Sequence, residues 1–231
     1  MTNATPSPGP VIRSIDDLRG SAGKLEAILN GGRDDARFAA LVCHPHPLGG
    51  GTMHNKVVYH TMKVFSGLGL PVLRFNFRGV GLSEGAHDHG RGELEDARAA
   101  LDWMDNAFHL PILIAGFSFG SFIGLSAGCG DPRVKGLIGL GVPYRAEGRS
   151  YTYEVLEHCT QPKLFISGTE DQFGQRALVE PMLKQAADPK KIVWIDGAEH
   201  FFQGTPGSPG AKLSQMQDAL RQWLDETFGL A

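Results

Sequence analysis

The 231-residue chain is 42% apolar and 20% charged, which supports one large α/β domain with a real core rather than two small ones. A formal net charge of −3 with no basic stripe excludes the electrostatic footprint of a nucleic-acid binder. No apolar run reaches the ~18–20 residues of a membrane span. The three cysteines, Cys43, Cys129 and Cys159, form no disulfide framework and read as small buried hydrophobes, so a cytoplasmic protein without a membrane partner is expected.

The opening "MTNATPSPGP" has neither the charged nor the apolar region of a signal peptide, and its prolines predict a disordered leader over 1–11 before a single domain over 12–231. "KLEAILN" (24–30) alternates as a half-exposed strand, and "FAALVCH" (38–44) is a continuous apolar run of strand length. With no helix between them, these two are expected to run antiparallel at one edge. A helix follows at 56–68, then a strand at 71–77 that ends in the glycine-rich "RGVGLSEG". The helix at 91–108 is amphipathic, with an acidic first turn that suits the helix dipole. Next come a buried strand (111–117), a small-residue helix (120–130) and strands at 134–143 and 162–168. A helix over about 174–187, a strand at 191–196, the loop "QGTPGSPG" (203–210) and a closing helix (210–228) complete the chain. Apolar strands alternating with helices predict a mainly parallel twisted sheet covered on both faces.

Ligands of such sheets bind at the carboxyl ends of strands. Ser118 falls there, in "GFSFG", at the centre of a G-x-S-x-G elbow. A sharp strand-to-helix turn leaves no room for side chains two residues to either side, and Gly116 and Gly120 have none. The helix N-terminus behind the serine favours negative charge. The competing reading is a glycine-rich turn whose serine merely caps the helix.

A serine hydroxyl needs a base, and on this sheet the partners follow in the order acid, then histidine. "GTEDQFG" places Asp171 just past one strand, and "GAEHFF" places His200 just past the next. Glu170, Asp196 and Glu199 are rival acids, though the last two read equally well as turn residues. Oxyanion donors are expected from the N–H of Phe119 and from the loop "CHPHPLGGGTMHNK". Pro45 and Pro47 have no N–H, which narrows that loop to His46, with Leu48 second.

"HPHPLGGGTMHNKVV", "LRFNFRGVGLSEG", "GRGELEDARAALDW", "GFSFG", "GTEDQFG" and "GAEHFF" resemble, in order and spacing, the α/β-hydrolases and, within them, a compact bacterial esterase-like group related to dienelactone hydrolase. The resemblance covers nearly the whole chain from about residue 20. It implies a serine hydrolase of that fold with the triad Ser118, Asp171 and His200, and it does not extend to the substrate. Asn76 stands where many relatives have Asp and reads as a structural hydrogen-bonding site. A serine rather than a cysteine nucleophile argues against dienelactone hydrolysis itself. Only about twenty residues separate Val142 from Pro162, too few for a substantial lid, so short-acyl esters or thioesters are expected.

His44–His46 and His87–His89 form H-x-H pairs, a weak zinc signal beside the usual ligand sets, so no metal is expected. "RGVGLSEG" misses G-x-G-x-x-G by one place and no GxxxxGK[ST] occurs, so no cofactor is expected either. A non-catalytic binding protein on the same fold, or a small peptidase or amidase, is the alternative function. A homodimer through an edge strand or the last helix is left open.

Overall fold

The computed structural model describes residues 11–146, 148–204 and 210–230. The elements in chain order are β1 (Ile12–Ile15), β2 (Ala27–Asn30), β3 (Ala39–Cys43), α1 (Lys56–Gly67), β4 (Val72–Phe75), α2 (Arg91–Phe108) and β5 (Ile112–Phe117). They continue with α3 (Phe119–Gly128), β6 (Val134–Leu140), β7 (Lys163–Gly168), α4 (Arg176–Gln185), β8 (Lys190–Ile195) and α5 (Ala211–Phe228). One eight-stranded sheet runs in the order β1-β2-β4-β3-β5-β6-β7-β8. All pairs from β4 to β8 are parallel, while β1 and β2 are antiparallel to their neighbours.

Side chains alternate across a strand, so an all-apolar strand feeds two cores. In β5, Ile112 and Ile114 join the core under α2, α3 and α4, while Leu113, Ala115 and Phe117 join the one under α1 and α5. Each such fully buried aliphatic side chain contributes about 1.5–3 kcal/mol. At the start of α1, Asn55 accepts the Val57 N–H at 2.9 Å, a cap that contributes about 1 kcal/mol.

One expectation needs correction, and one strand goes beyond the sequence reading. The strands β2 and β3 do run in opposite directions, but they are not neighbours, because β4 crosses back to lie between them. The edge strand β1 was not anticipated: only Ile15 of its four residues is buried, which leaves no amphipathic signal. Residues 1–10 of the expected leader and 205–209 of the loop before α5 lie outside the described residues. Val11 is already tied in, its carbonyl accepting the Gly31 N–H at 2.9 Å.

Among the described residues, the segment after β6 carries no lid helix. It forms a two-rung hairpin (Arg145–Ala146 with Arg149–Ser150) and a 3-10 turn (Glu154–His158) that folds back on α3. Tyr153, Leu156 and Cys159 are buried there, and the Tyr153 hydroxyl donates to the Pro143 carbonyl at 3.0 Å. Among the described residues, no helix is long and apolar enough to cross a membrane.

Candidate active site

Ser118 occupies the single residue between β5 and α3, with φ +55° and ψ −122°. A non-glycine residue at such a φ is strained by about 1–3 kcal/mol. Bonds on both sides hold it there: its N–H donates to the Leu140 carbonyl at 2.9 Å, and its carbonyl accepts from the Ser121 N–H at 2.8 Å and the Ser121 hydroxyl at 2.6 Å. The flanking glycines are required. A Cβ on Gly116 would lie 2.0 Å from the Gly120 carbonyl oxygen, and one on Gly120 would lie 2.4 Å from the carbonyl oxygens of both Cys43 and His44. Gly120 therefore also lets the end of β3, and the loop beyond it, close on the elbow.

The loops after β7 and β8 bring the other two expected residues to the serine. The His200 Nε2 lies 2.9 Å from the Ser118 Oγ, and its Nδ1 lies 2.8 Å from the Asp171 Oδ2. A carboxylate only accepts, so Nδ1 carries the proton and Nε2 is left to accept from the serine hydroxyl. The second carboxylate oxygen of Asp171 accepts the N–H groups of Phe173 and Gly174, both at 2.9 Å. Ser118, Asp171 and His200 are all buried, and the rings of Phe117, Phe173 and Phe201 pack 4.8–5.2 Å from the imidazole. The rival acids lie elsewhere. Glu170 and Asp196 are exposed, and Glu199 accepts the N–H groups of Phe201 and Gln203 as a turn residue.

A cavity of about 220 Å³ opens over Ser118 and His200, walled by Pro45, His46, Gly51 and Phe201. The N–H of Phe119 sits at the first position of α3, beside Ser118. Of the two candidates in the other loop, His46 borders this cavity. The Leu48 N–H donates to the His46 Nδ1 at 3.2 Å, and Leu48 is 70% exposed within the 3-10 turn that His46 caps, so His46 stays the preferred candidate.

The His46 side chain has a part that the sequence did not reveal. Its ring packs edge-on against Phe119 at 4.9 Å and, tilted, against His87 at 4.9 Å. The His87 Nδ1 lies 2.8 Å from a carboxylate oxygen of the fully buried Glu93. Glu93 in turn accepts the N–H groups of Asp88 and Gly90 at 2.9 and 2.7 Å. A chain of contacts thus runs from the start of α2 to the residues expected to supply both oxyanion donors. The available signal was Glu93 at the third helical position, reaching back to the residue that opens the helix.

His44 parts company with His46. Its Nδ1 donates to the Pro45 carbonyl at 2.6 Å and its Nε2 accepts the Phe77 N–H at 2.9 Å, so both ring nitrogens are engaged. Complete burial pushes its pKa down to about 3 and keeps it neutral. Burial likewise holds the Cys43 thiol well above its ordinary range. Among the described residues, no group of three or more His, Cys, Asp or Glu side chains is arranged to hold a metal. Asn76 is a hydrogen-bonding strut, accepting the Met53 N–H at 2.8 Å and donating to Glu26 at 2.7 Å. The glycine-rich loop after β4 is pinned to α2 by Arg78, which pairs with the buried Asp96 at 2.7 Å.

This strand order, with a strained serine after the fifth strand, defines the α/β-hydrolase fold. Residues 39–227 match the family model described as an alpha/beta hydrolase domain, and the chain belongs to that family. An uncharacterised protein of Rickettsia prowazekii is 36% identical over 188 residues, 74% of this chain and 79% of the relative. An α/β serine hydrolase homologue from Coxiella burnetii has a solved structure that is 34% identical, with a TM-score of 0.79 over 97% of this chain and 98% of the other. A structure from Xanthomonas campestris, described as an α/β serine hydrolase without a lid, is 30% identical with a TM-score of 0.78 over 93% and 94%. A dienelactone hydrolase from Anabaena variabilis, at 20% identity and a TM-score of 0.75, shares the fold.

Proposed function

We propose that the protein is a serine hydrolase that cleaves small soluble carboxylic esters through an acyl-enzyme. The observation that carries this reading is His200, whose two ring nitrogens lie 2.9 Å from the Ser118 hydroxyl and 2.8 Å from the Asp171 carboxylate. Nε2 takes the hydroxyl proton as Oγ bonds to the ester carbon, and Asp171 stabilises the imidazolium that forms. The carbonyl oxygen becomes an oxyanion facing the N–H groups of Phe119 and His46, at the positive end of α3. His200 then gives its proton to the departing alkoxide as the C–O bond breaks. A water molecule repeats the sequence on the acyl-serine and releases the acid.

The size of the substrate follows from the cavity. About 220 Å³, with no lid helix among the described residues to extend it, suits a short acyl group better than a long alkyl chain. A series of 4-nitrophenyl esters from acetyl to decanoyl tests the reading, run beside Ser118→Ala. The expected result is highest kcat/KM at two to four carbons and loss of turnover in the variant. Turnover that persists in Ser118→Ala would overturn the mechanism, and a steep rise toward decanoyl would overturn the substrate class.

A further inference from the structure

A second cavity, about 450 Å³ in volume, adjoins the first. Gln172 and Phe173 line both. Arg145 borders the second cavity, and its chain neighbour Ala146 borders the one over Ser118. The two spaces therefore lie side by side with two walls in common, one over the serine and the other bordered by Arg145.

Arg145 is anchored to the catalytic loop. Its N–H and that of Tyr144 both donate to the Phe173 carbonyl, at 3.2 and 2.9 Å. Phe173 gives its own N–H to Asp171 at 2.9 Å and packs its ring 4.8 Å from His200. The backbone bearing the cation is thus hung from the residue that holds the acid of the triad, which fixes the origin of Arg145 relative to the reacting centre.

The chain carries a formal net charge of −3, yet among the described residues neither cavity is walled by an Asp or Glu side chain. Arg176, at the start of α4, is already engaged: it pairs with Glu180 at 3.0 Å and lies over the Trp194 ring at 5.2 Å. The remaining walls of the second cavity are Tyr144 and Leu178, for apolar contact, and the amides of Gln172 and Gln175. Such a lining leaves an anion with one strong partner and several neutral hydrogen-bonding ones. A guanidinium matches a carboxylate in a two-pronged geometry that an ammonium cannot reproduce.

We propose that this second cavity receives a carboxylate carried by the substrate, with Arg145 as its counter-ion, so that the preferred substrates are anionic esters. The proposal rests on the serine hydrolase reading and adds the charge of the substrate to it.

Two matched pairs test it, one with the carboxylate on the leaving group and one with it on the acyl group. They are 4-acetoxybenzoate against 4-acetoxybenzamide, and monoethyl adipate against ethyl hexanoate, followed by titration of released acid. In at least one pair the wild-type enzyme favours the anion in kcat/KM, chiefly through KM. Arg145→Gln lowers that anion-to-neutral ratio about tenfold, equivalent to about 1.4 kcal/mol, and Arg145→Lys restores part of it. Raised salt narrows the wild-type preference, because the site is open to solvent. Equal rates within both pairs, or a preference that survives Arg145→Gln, overturn the proposal while hydrolysis of the neutral esters leaves the serine mechanism standing. Failure of the wild-type enzyme to cleave any of the four esters overturns the underlying reading as well.

Discussion

Gly120→Ala perturbs the elbow at its tightest contact. The added methyl carbon would sit 2.4 Å from the carbonyl oxygens of Cys43 and His44, against an ordinary contact of 3.4 Å or more. Both oxygens are backbone, and Cys43 closes β3, whose five residues are all buried between two paired strands. Relief therefore requires α3 and the end of β3 to separate by about 1 Å. Overpacking of this kind costs about 1–3 kcal/mol. At roughly 2–4 °C per kcal/mol for a chain of this size, the melting temperature falls by about 2–12 °C. The loss of rate should be larger, because Ser118 and Phe119 ride on α3 while His46 follows β3, and a misplacement of about 1 Å can cost ~10²-fold. The assay is kcat on 4-nitrophenyl acetate, measured well below the melting temperature of the variant and beside its thermal melt. A folded Gly120→Ala protein with wild-type kcat would refute the argument that this glycine sets the distance between the two proposed oxyanion donors.

Gly67 provides the contrast. It ends α1 at an ordinary φ with nothing within 4 Å of an added Cβ, so Gly67→Ala should stabilise by about 0.4–1 kcal/mol in urea unfolding without changing kcat. Asp171→Asn should keep the fold but lower kcat by up to ~10⁴-fold, because the amide no longer holds the proton on Nδ1; a drop of less than tenfold would point to another acid. His46→Ala removes the acceptor of the Leu48 N–H and should lower kcat more than it raises KM, and His46→Asn, which can still cap that turn, should recover part of the loss. His44 predicts an acid limit. Its pKa is about 3 when folded and ordinarily 6.5, so between these values the unfolded chain binds a proton that the folded chain refuses. Its contribution is therefore whole above pH 6.5 and shrinks by about 1.4 kcal/mol per unit as the pH falls toward 3, and His44→Gln should show a shallower decline in urea titrations between pH 6.5 and 5.

The central strands were legible because burial on both faces writes itself as unbroken apolar runs, as in "PILIAGF", and the glycines at 116 and 120 marked the turn between strand and helix. The loops bearing Asp171 and His200 could be placed because each follows such a strand. The position of β4 could not be read, since crossing order depends on which strand edges meet, and every central strand looks alike in composition. β1 escaped notice because three of its four residues face solvent. The Glu93–His87–His46 contacts were hidden for a different reason: a buried carboxylate in a helix's first turn has the same sequence signature as an exposed one favoured by the dipole. Arg145 likewise gains meaning only from the two cavities that share the walls beside it.

The most direct test of the account is covalent labelling with a fluorophosphonate followed by intact-mass and peptide analysis. The array predicts one adduct per chain, on the peptide containing Ser118, absent in Ser118→Ala and formed far more slowly in His200→Ala. No adduct on the folded wild-type protein, or an adduct formed at the same rate without His200, would contradict the claim that Ser118 is a nucleophile activated through that imidazole.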